Sequence, residues 1–575
     1  MTNDSPESLL AGLDDQQRVA AEAVLGPVCI LAGAGTGKTR AITHRIAYGV
    51  ASGVYAPSRV MALTFTAKAA TELRSRLRML GAPNVAARTF HAAALSQLSY
   101  FWPQVVGGNM PKIVESKGRL LGHAAEMIRV PVTTGSLREF AAEVEWRKVS
   151  RLGIEQYAKA LESRPVPGNL SVDQAVALQQ AYEDIKDERR LIDFEDILLA
   201  TAGMIEAEPR VALQVREQYR FFVVDEYQDV SPLQYELLQA WLGDRRDLCV
   251  VGDASQTVYS FAGATATYLL EFEQKYTDAQ VVRLEQNYRS TTEIIQTANA
   301  LMRGRAGSLE LRPAAARVTE PSAAVVRAAY PSDVLEARAV AQAIKATIDS
   351  GVQPKQIAVL YRINVQSAVL ETALADLGVP VQLSGSTRFF DHPEVRQAVM
   401  ALRAASVSIV GEPLFKSVSD VLRSLGWSQH PPETAGAVRD RWELLNALMG
   451  LVDLVPAGTT FRDFTDDLLQ RQAAHHAPDL SAVTLATLHS AKGMEWDTVF
   501  LVGLSEGLLP ISYATTRPQQ DEERRLLYVG ITRAKRALQL SYAESSAGRR
   551  EVRRPSRFLA ELDIRTPDGR RPDAS

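Results

Sequence analysis

The sequence predicts an α/β protein: two parallel-sheet domains, each carrying a mainly helical insertion. Three observations predict it. Apolar runs of strand length recur along the chain and end in polar signatures, at 28–31, 60–65, 221–224 and 248–251. Helical patterns separate them, the alternation of a parallel sheet with crossover helices. A second series, at 357–361, 381–383, 499–502 and 538–541, repeats the arrangement. Ligands in such sheets bind at the carboxyl ends of the strands, so the residues just after each run carry the chemistry.

The first run, Val28-Cys29-Ile30-Leu31, leads into Ala32-Gly33-Ala34-Gly35-Thr36-Gly37-Lys38-Thr39, and Arg40-Ala41-Ile42-Thr43 can begin a helix. A glycine-rich strand-to-helix turn lets backbone N–H groups wrap a polyphosphate at the positive end of the helix dipole. Ala34, Gly35, Thr36, Gly37, Lys38 and Thr39 are the candidate cradle, with Lys38 reaching the β- and γ-phosphates and the Thr39 hydroxyl on Mg²⁺. The strict pattern has glycine where this chain has Ala32. A run further on ends in Val224-Asp225-Glu226-Tyr227-Gln228-Asp229. Adjacent acids there suit Mg²⁺-dependent nucleotide hydrolysis: Asp225 for the metal's water shell, Glu226 to orient or deprotonate the attacking water. Glu285-Gln286-Asn287-Tyr288-Arg289-Ser290 and Tyr528-Val529-Gly530-Ile531-Thr532-Arg533-Ala534 each place an arginine where it can stabilise charge on a γ-phosphate. The competing reading of each is a surface salt bridge.

The stretch from Leu95 to about Leu199 is mostly helical in pattern, for example at 137–158 and 172–186. So is 391–480, with Pro431-Pro432 and Pro456 as breakers. The expected boundaries are 1–94 and 200–286 for the first sheet domain and 95–199 for its insertion. The second sheet domain takes 287–390 and 481–564, with 391–480 as a shorter insertion. Residues 304–321 read as a loop rich in Gly, Ala and Pro, and 565–575 as a flexible tail.

Composition narrows the function classes. With 64 Lys+Arg against 67 Asp+Glu the formal net charge is −3, so nucleic acid must be held in a local groove rather than by a global field. Cys29 and Cys249 lie in apolar runs without metal-ligand spacing, which fits a reducing cytosol. The acidic start has no signal stretch, and no apolar run is long enough to span a bilayer. A cytoplasmic protein without a membrane partner is expected.

Taken in order, these strings resemble a superfamily 1 DNA helicase of the UvrD/Rep/PcrA group, from Leu13 to about Leu562. Further strings carry the likeness: Leu13-Asp14-Asp15-Gln16-Gln17, Thr64-Phe65-Thr66-Ala67-Lys68, Thr89-Phe90-His91, Gly252-Asp253-Ala254-Ser255-Gln256-Thr257-Val258-Tyr259-Ser260-Phe261, Leu360-Tyr361-Arg362-Ile363-Asn364, Arg388-Phe389-Phe390, Thr487-Leu488-His489-Ser490-Ala491-Lys492-Gly493-Met494-Glu495 and Pro555-Ser556-Arg557-Phe558-Leu559. The resemblance implies two RecA-like motor domains, ATP and Mg²⁺ as cofactors, and single-stranded and tailed duplex DNA as partners. It implies 3′→5′ translocation with unwinding in repair or replication, by a bacterial, nucleoid-associated enzyme. It assigns Lys38, Thr39, Asp225, Glu226, Gln256, Arg289 and Arg533 to hydrolysis. Gln17, Arg40 and Tyr288 would surround the adenine, and Glu495 would approach the ribose. Phe65, Tyr259 and Phe261 would stack on bases, a sequence-tolerant grip. Thr66, His91, Asn364, His489 and Ser490 would contact the strand. Core packing competes for Phe65, and a structural role competes for His91.

The chain departs from the group's pattern at Ala254, where an acid is usual, at Ala262, where an arginine is usual, and at Ala67, where Asn is common. These departures, with the short second insertion, leave open a nucleotide-dependent single-stranded DNA-binding module, or a translocase with little intrinsic unwinding. The wording of the motifs resembles an actinobacterial branch, with that branch's C-terminal accessory module expected to be missing. Arg549, Arg550, Arg553, Arg554 and Arg557 touch phosphates or form a solvated loop.

Overall fold

The computed structural model describes residues 6–162, 164, 166–318, 325–384, 390, 392–406, 409, 411–430, 432, 437–456, 458–474, 482–546 and 552–562. The readings made on residues 1–5, Arg388, Phe389, Asp391, Pro431, Arg549, Arg550 and 565–575 lie outside them. The chain forms two compact units, Met1–Tyr288 with Gly304–Arg312, and Arg289–Arg303 with Pro313–Ser575.

The first unit is built on β1 (Val28–Ala32), β2 (Val60–Thr64), β3 (Ala86–Thr89), β4 (Lys112–Ile113), β5 (Leu191–Ile192), β6 (Phe221–Val224), β7 (Leu248–Gly252) and β8 (Gln280–Leu284). Six of these form one parallel sheet in the order β3-β2-β6-β7-β1-β8, while β4 and β5 pair by themselves. Alternate residues feed opposite faces. Val28 and Ile30 join Ala41, Ile42 and Ile46 of the helix α1 (Lys38–Ala51). Cys29 joins Phe222, Val224 and Trp241 on the other side. Both faces are buried, so β1, β6 and β7 read as unbroken apolar runs.

Between β4 and β5 the chain is helical, with its own core of Leu121, Phe140, Val144, Tyr157, Leu178 and Tyr182. The expected helix at 137–158 is in fact two, Thr134–Val149 and Ile154–Ala160. Arg151 takes a left-handed φ of 61° and Gly153 caps the second helix, a break that apolar spacing running across both helices conceals. The helix expected at 172–186 is present as Val172–Glu188.

The second unit carries another six-stranded parallel sheet. Its order is Val326–Tyr330, Ala534–Ala543, Trp496–Leu501, Ile357–Tyr361, Val483–Thr487, Val381–Ser384. The run expected at 499–502 overlaps the strand Trp496–Leu501, which ends one residue earlier, and the run at 538–541 lies within Ala534–Ala543. The stretch at 304–321 is not all loop, because Ala315–Val318 forms a helical turn. A separate helical core gathers Val399, Leu402, Leu422, Leu445, Phe464 and Leu468 with Trp427 and Trp442. Two parallel α/β sheets match the two RecA-like domains that the resemblance implies. Among the described residues no helix is long and apolar enough to cross a membrane.

Candidate active site

The turn from β1 to α1 is held by its carbonyls. Asn287 Nδ2 donates to the Ala34 carbonyl at 2.7 Å, the Tyr288 backbone N–H to Gly35 at 2.9 Å, and Gln17 Nε2 to Thr36 at 2.9 Å. A peptide is planar and trans, so fixing a carbonyl fixes the next N–H to point the opposite way. The three pins therefore orient the N–H groups of Gly35, Thr36 and Gly37, the pattern of an anion-binding nest. Gln17 and Asn287 are buried. Gly37 starts α1 at φ 81°, and a Cβ there would lie 2.6 Å from Gln17 Nε2. Only glycine admits both the left-handed backbone and the close pin. Lys38 and Thr39 then open a helix of 14 residues, long enough to present a dipole.

Near Gln17, Arg40 Nη2 donates to the Gly12 carbonyl at 2.5 Å, and the Tyr288 hydroxyl bonds the Asp14 carboxylate. Asp14 also caps the short helix Asp15–Glu22 that carries Gln17, accepting from the Gln17 N–H. One small cluster thus ties the three expected adenine-site residues to the loop.

At the end of β6 the Asp225 N–H donates to the Leu63 carbonyl at 2.9 Å, and Asp225 Oδ1 accepts from the Glu226 N–H at 3.0 Å. Glu226 adopts φ 52°, a conformation that costs a non-glycine residue energy and collects at functional sites. Its Oε1 lies 3.4 Å from Lys38 Nζ. Gln256 Nε2 donates to Asp253 Oδ2 at 2.7 Å just after β7. Burial raises the Asp253 carboxyl above its usual range, against the pull of Lys38. Thr39 and Asp225 offer the hard oxygen donors Mg²⁺ takes, and Mg²⁺ draws its remaining ligands from water and phosphate. That donor set fits the ion, although no cluster of three or more His, Cys, Asp or Glu gathers among the described residues.

The aromatic residues form a continuous face in this unit. Phe65 follows β2 and is exposed; its ring stacks on Tyr259 with centroids 5.4 Å apart. Tyr259 meets Phe261 edge-on at 6.1 Å, and Phe261 is 66% exposed. Core packing is thereby set aside for Phe65 and Phe261. Exposed Thr66 caps the helix Ala67–Met79. Ala254 is buried, whereas Ala262 is partly exposed. His91 opens the helix Phe90–Val105, and burial, then Lys117, pushes its imidazole below the usual value. It meets the exposed ring of Phe194 edge-on at 6.1 Å, beside a cavity of about 380 Å³ also lined by Lys117 and Glu195. Phe194 was missed by the sequence reading; an aromatic between acids, Asp193-Phe194-Glu195, was the available signal.

In the second unit, Glu495 is clamped by two cations. Its Oε2 lies 2.6 Å from Arg289 Nη2 and its Oε1 2.8 Å from Lys535 Nζ, and these hold its carboxyl below the usual range against burial. Arg289 also donates to the Thr532 carbonyl at 3.1 Å. Arg533 is buried and donates to the carbonyls of Val529 at 3.0 Å and Met494 at 3.1 Å. The structure thus brings Arg289, Arg533 and Glu495 into one cluster. Elsewhere in the unit, Asn364 begins a turn after the strand Ile357–Tyr361. Ser490 bonds Thr487, and His489 is pushed down to about 4 by burial and then by Arg362. Arg362 forks onto Glu523, with Nε 3.0 Å from Oε2 and Nη2 2.8 Å from Oε1.

Comparison with known proteins agrees with this arrangement. Residues 13–277 match the UvrD/REP helicase N-terminal domain, and residues 282–407 and 444–545 match the UvrD-like helicase C-terminal domain. The chain is 47% identical to the ATP-dependent DNA helicase UvrD2 of Mycobacterium bovis, over 96% of this chain and 82% of that protein. It is 31% identical to DNA helicase II of Salmonella typhimurium, over 96% and 88% respectively. It is 31% identical to the ATP-dependent DNA helicase UvrD1 of Mycobacterium tuberculosis, over 98% and 87%. With a pinned phosphate loop, an acidic strand end and both matched domains in one chain, the protein belongs to the UvrD/REP helicase family.

Proposed function

We propose that this helicase uses ATP to move 3′→5′ along single-stranded DNA and to open tailed duplex during repair or replication, in the bacterial cytoplasm at the nucleoid. The observation that carries the reading is the pinned phosphate loop, with Lys38 beside Glu226, in the same unit as the Phe65–Tyr259–Phe261 face. Nucleotide and bases are thereby served from the carboxyl ends of one sheet.

In this reading the N–H groups of 35–37 and Lys38 hold the phosphates, and Gln17, Arg40 and Tyr288 border the adenine. Glu226 takes or directs a proton of the attacking water, and Gln256 acts with it in hydrolysis. Thr39 and Asp225 would hold Mg²⁺, which when bound offsets phosphate charge. Arg289 and Arg533 of the second unit stabilise the charge that grows on the γ-phosphate, and Glu495 approaches the ribose. Phe65, Tyr259 and Phe261 stack on bases, while Thr66, His91, Asn364, His489 and Ser490 contact the strand. Residues 95–199 and 391–480 are proposed as insertions of the two motor domains, with the boundaries given above.

A second reading, a DNA-dependent translocase or binding module with little unwinding, is favoured by alanine at 254 and 262. ATP turnover with and without single-stranded DNA, run beside strand displacement on duplexes with 3′ or 5′ tails, tests both. The proposal expects DNA-stimulated turnover and displacement of the 3′-tailed duplex alone. Stimulation without displacement supports the second reading, and turnover indifferent to DNA overturns both.

A further inference from the structure

Gln228 sits between the acidic strand end and the loop that bears the aromatic face, and its side chain is fully buried. Its Nε2 donates to Glu226 Oε2 and, at 3.3 Å, to Asp229 Oδ2. Its Oε1 accepts the Asp253 N–H at 3.0 Å. The amide has one usable orientation, because reversing it would set N–H against N–H and carbonyl against two carboxylates. The fold makes room for it: a Cβ on Gly252 would fall 2.6 Å from Gln228 Oε1 and 3.3 Å from its backbone nitrogen.

From Asp253 the chain of contacts runs on to the aromatic rings. The Asp253 side chain accepts the Ser255 N–H at 2.9 Å and the Gln256 amide at 2.7 Å. A tight turn, Ala254–Gln256, then leads to Tyr259 and its stack on Phe65. Displacement of this short loop by a base pressed on Tyr259 or Phe261 would carry with it the Asp253 N–H that Gln228 accepts. Lys38 and Gln228 both grip the Glu226 carboxylate, so its direction depends on them. Asp225, Asp229 and Asp253 are among the other charged groups near it.

We propose that Gln228 is a positioning residue that transmits DNA contact at the Tyr259–Phe261 face to the carboxylate of Glu226. The inference rests on the roles given above to Glu226 and Phe261, and deepens them.

The test is steady-state ATP turnover by the full chain, with and without saturating single-stranded oligothymidylate, for Gln228→Glu, Phe261→Ala and the double variant. Gln228→Glu keeps the acceptor for Asp253 and sets a carboxyl oxygen, in place of the donor, against the carboxylates of Glu226 and Asp229. It should lower the DNA-stimulated kcat about 30-fold and the basal rate by a smaller factor, with KM for ATP shifted less than about threefold. In the Phe261→Ala background the same substitution should cost less than about threefold, because two steps of one path do not add. Equal losses in both backgrounds, equal losses of basal and stimulated rate, or no loss would each overturn the relay. Gln228→Met, uncharged and similar in size, should repeat the pattern and serves if the glutamate variant does not fold. Glu226→Gln separates the failures. Full turnover in that variant defeats the catalytic reading itself, whereas its inactivity beside a fully active Gln228→Glu defeats the relay alone.

Discussion

Lys38 Nζ lies 3.4 Å from Glu226 Oε1, joining the phosphate-loop cation to the carboxylate just after β6. Under the proposed roles, replacing the carboxylate removes the base and leaves the cation to the phosphates. Glu226→Gln should therefore lower turnover by about 10²–10⁴-fold while a fluorescent ATP analogue still binds at least as tightly as to wild type. Lys38→Ala should abolish hydrolysis and weaken the analogue. Persisting turnover in Lys38→Ala would remove the phosphate-loop assignment.

The Asn287 pin on Ala34 yields a second expectation. Asn287→Ala leaves a buried carbonyl without its donor and frees one peptide of the loop. The loss is about 1–3 kcal/mol, read as a rise of roughly 5- to 150-fold in the ATP concentration for half-maximal turnover. An unchanged KM would mean the loop holds its shape without that bond.

Glu495 distinguishes two roles. As a contact to the ribose it governs affinity; as the clamp on Arg289 and Lys535 it governs transition-state charge. The clamp predicts that Glu495→Ala lowers kcat by about tenfold or more with KM nearly constant. A rise in KM for ATP that disappears with 2′-deoxy-ATP would instead point to the sugar.

His489 supplies a pH dependence. Its imidazole is pushed from 6.5 down to about 4, by burial and then by Arg362. Between these values the unfolded chain binds more protons than the folded one, so stability rises with pH. The contribution is complete above about 6.5 and is lost as pH falls towards about 4, to the extent of up to ~3 kcal/mol. The fall in melting temperature from about pH 7 to about pH 5 should be smaller in His489→Asn than in wild type. Parallel profiles would show that the ring is solvated. A neutral His489 near neutral pH also means that His489→Gln leaves the salt slope of DNA binding unchanged.

Much of this was legible in the sequence because the informative strands are buried on both faces. The runs ending at Ala32, Val224 and Gly252 are unbroken apolar stretches, and the polar residues after them include the candidate site residues. Edge strands such as Ala86–Thr89 and Val326–Tyr330 carry mixed patterns and gave no such signal. The break at Arg151 was hidden because apolar spacing is the same on both sides of it. The pins were not legible either. Asn287 meets Ala34 across 253 positions, and Gln228 meets Asp253 across 25. Pairing at that separation is a property of the folded sheet, not of any local string. The clamp on Glu495 escaped for the same reason, since its cations come from two distant segments.

The three braces on the phosphate loop have a consequence for how the chain is made. Gln17 leaves the ribosome early, but Asn287 and Tyr288 follow some 270 residues later, directly after β8, the last strand of the first sheet. A nascent chain shorter than this carries the glycine-rich sequence without two of the three bonds that brace it. The phosphate loop thus gains its full set of braces only when synthesis has passed Tyr288, the point at which the first engine block is whole.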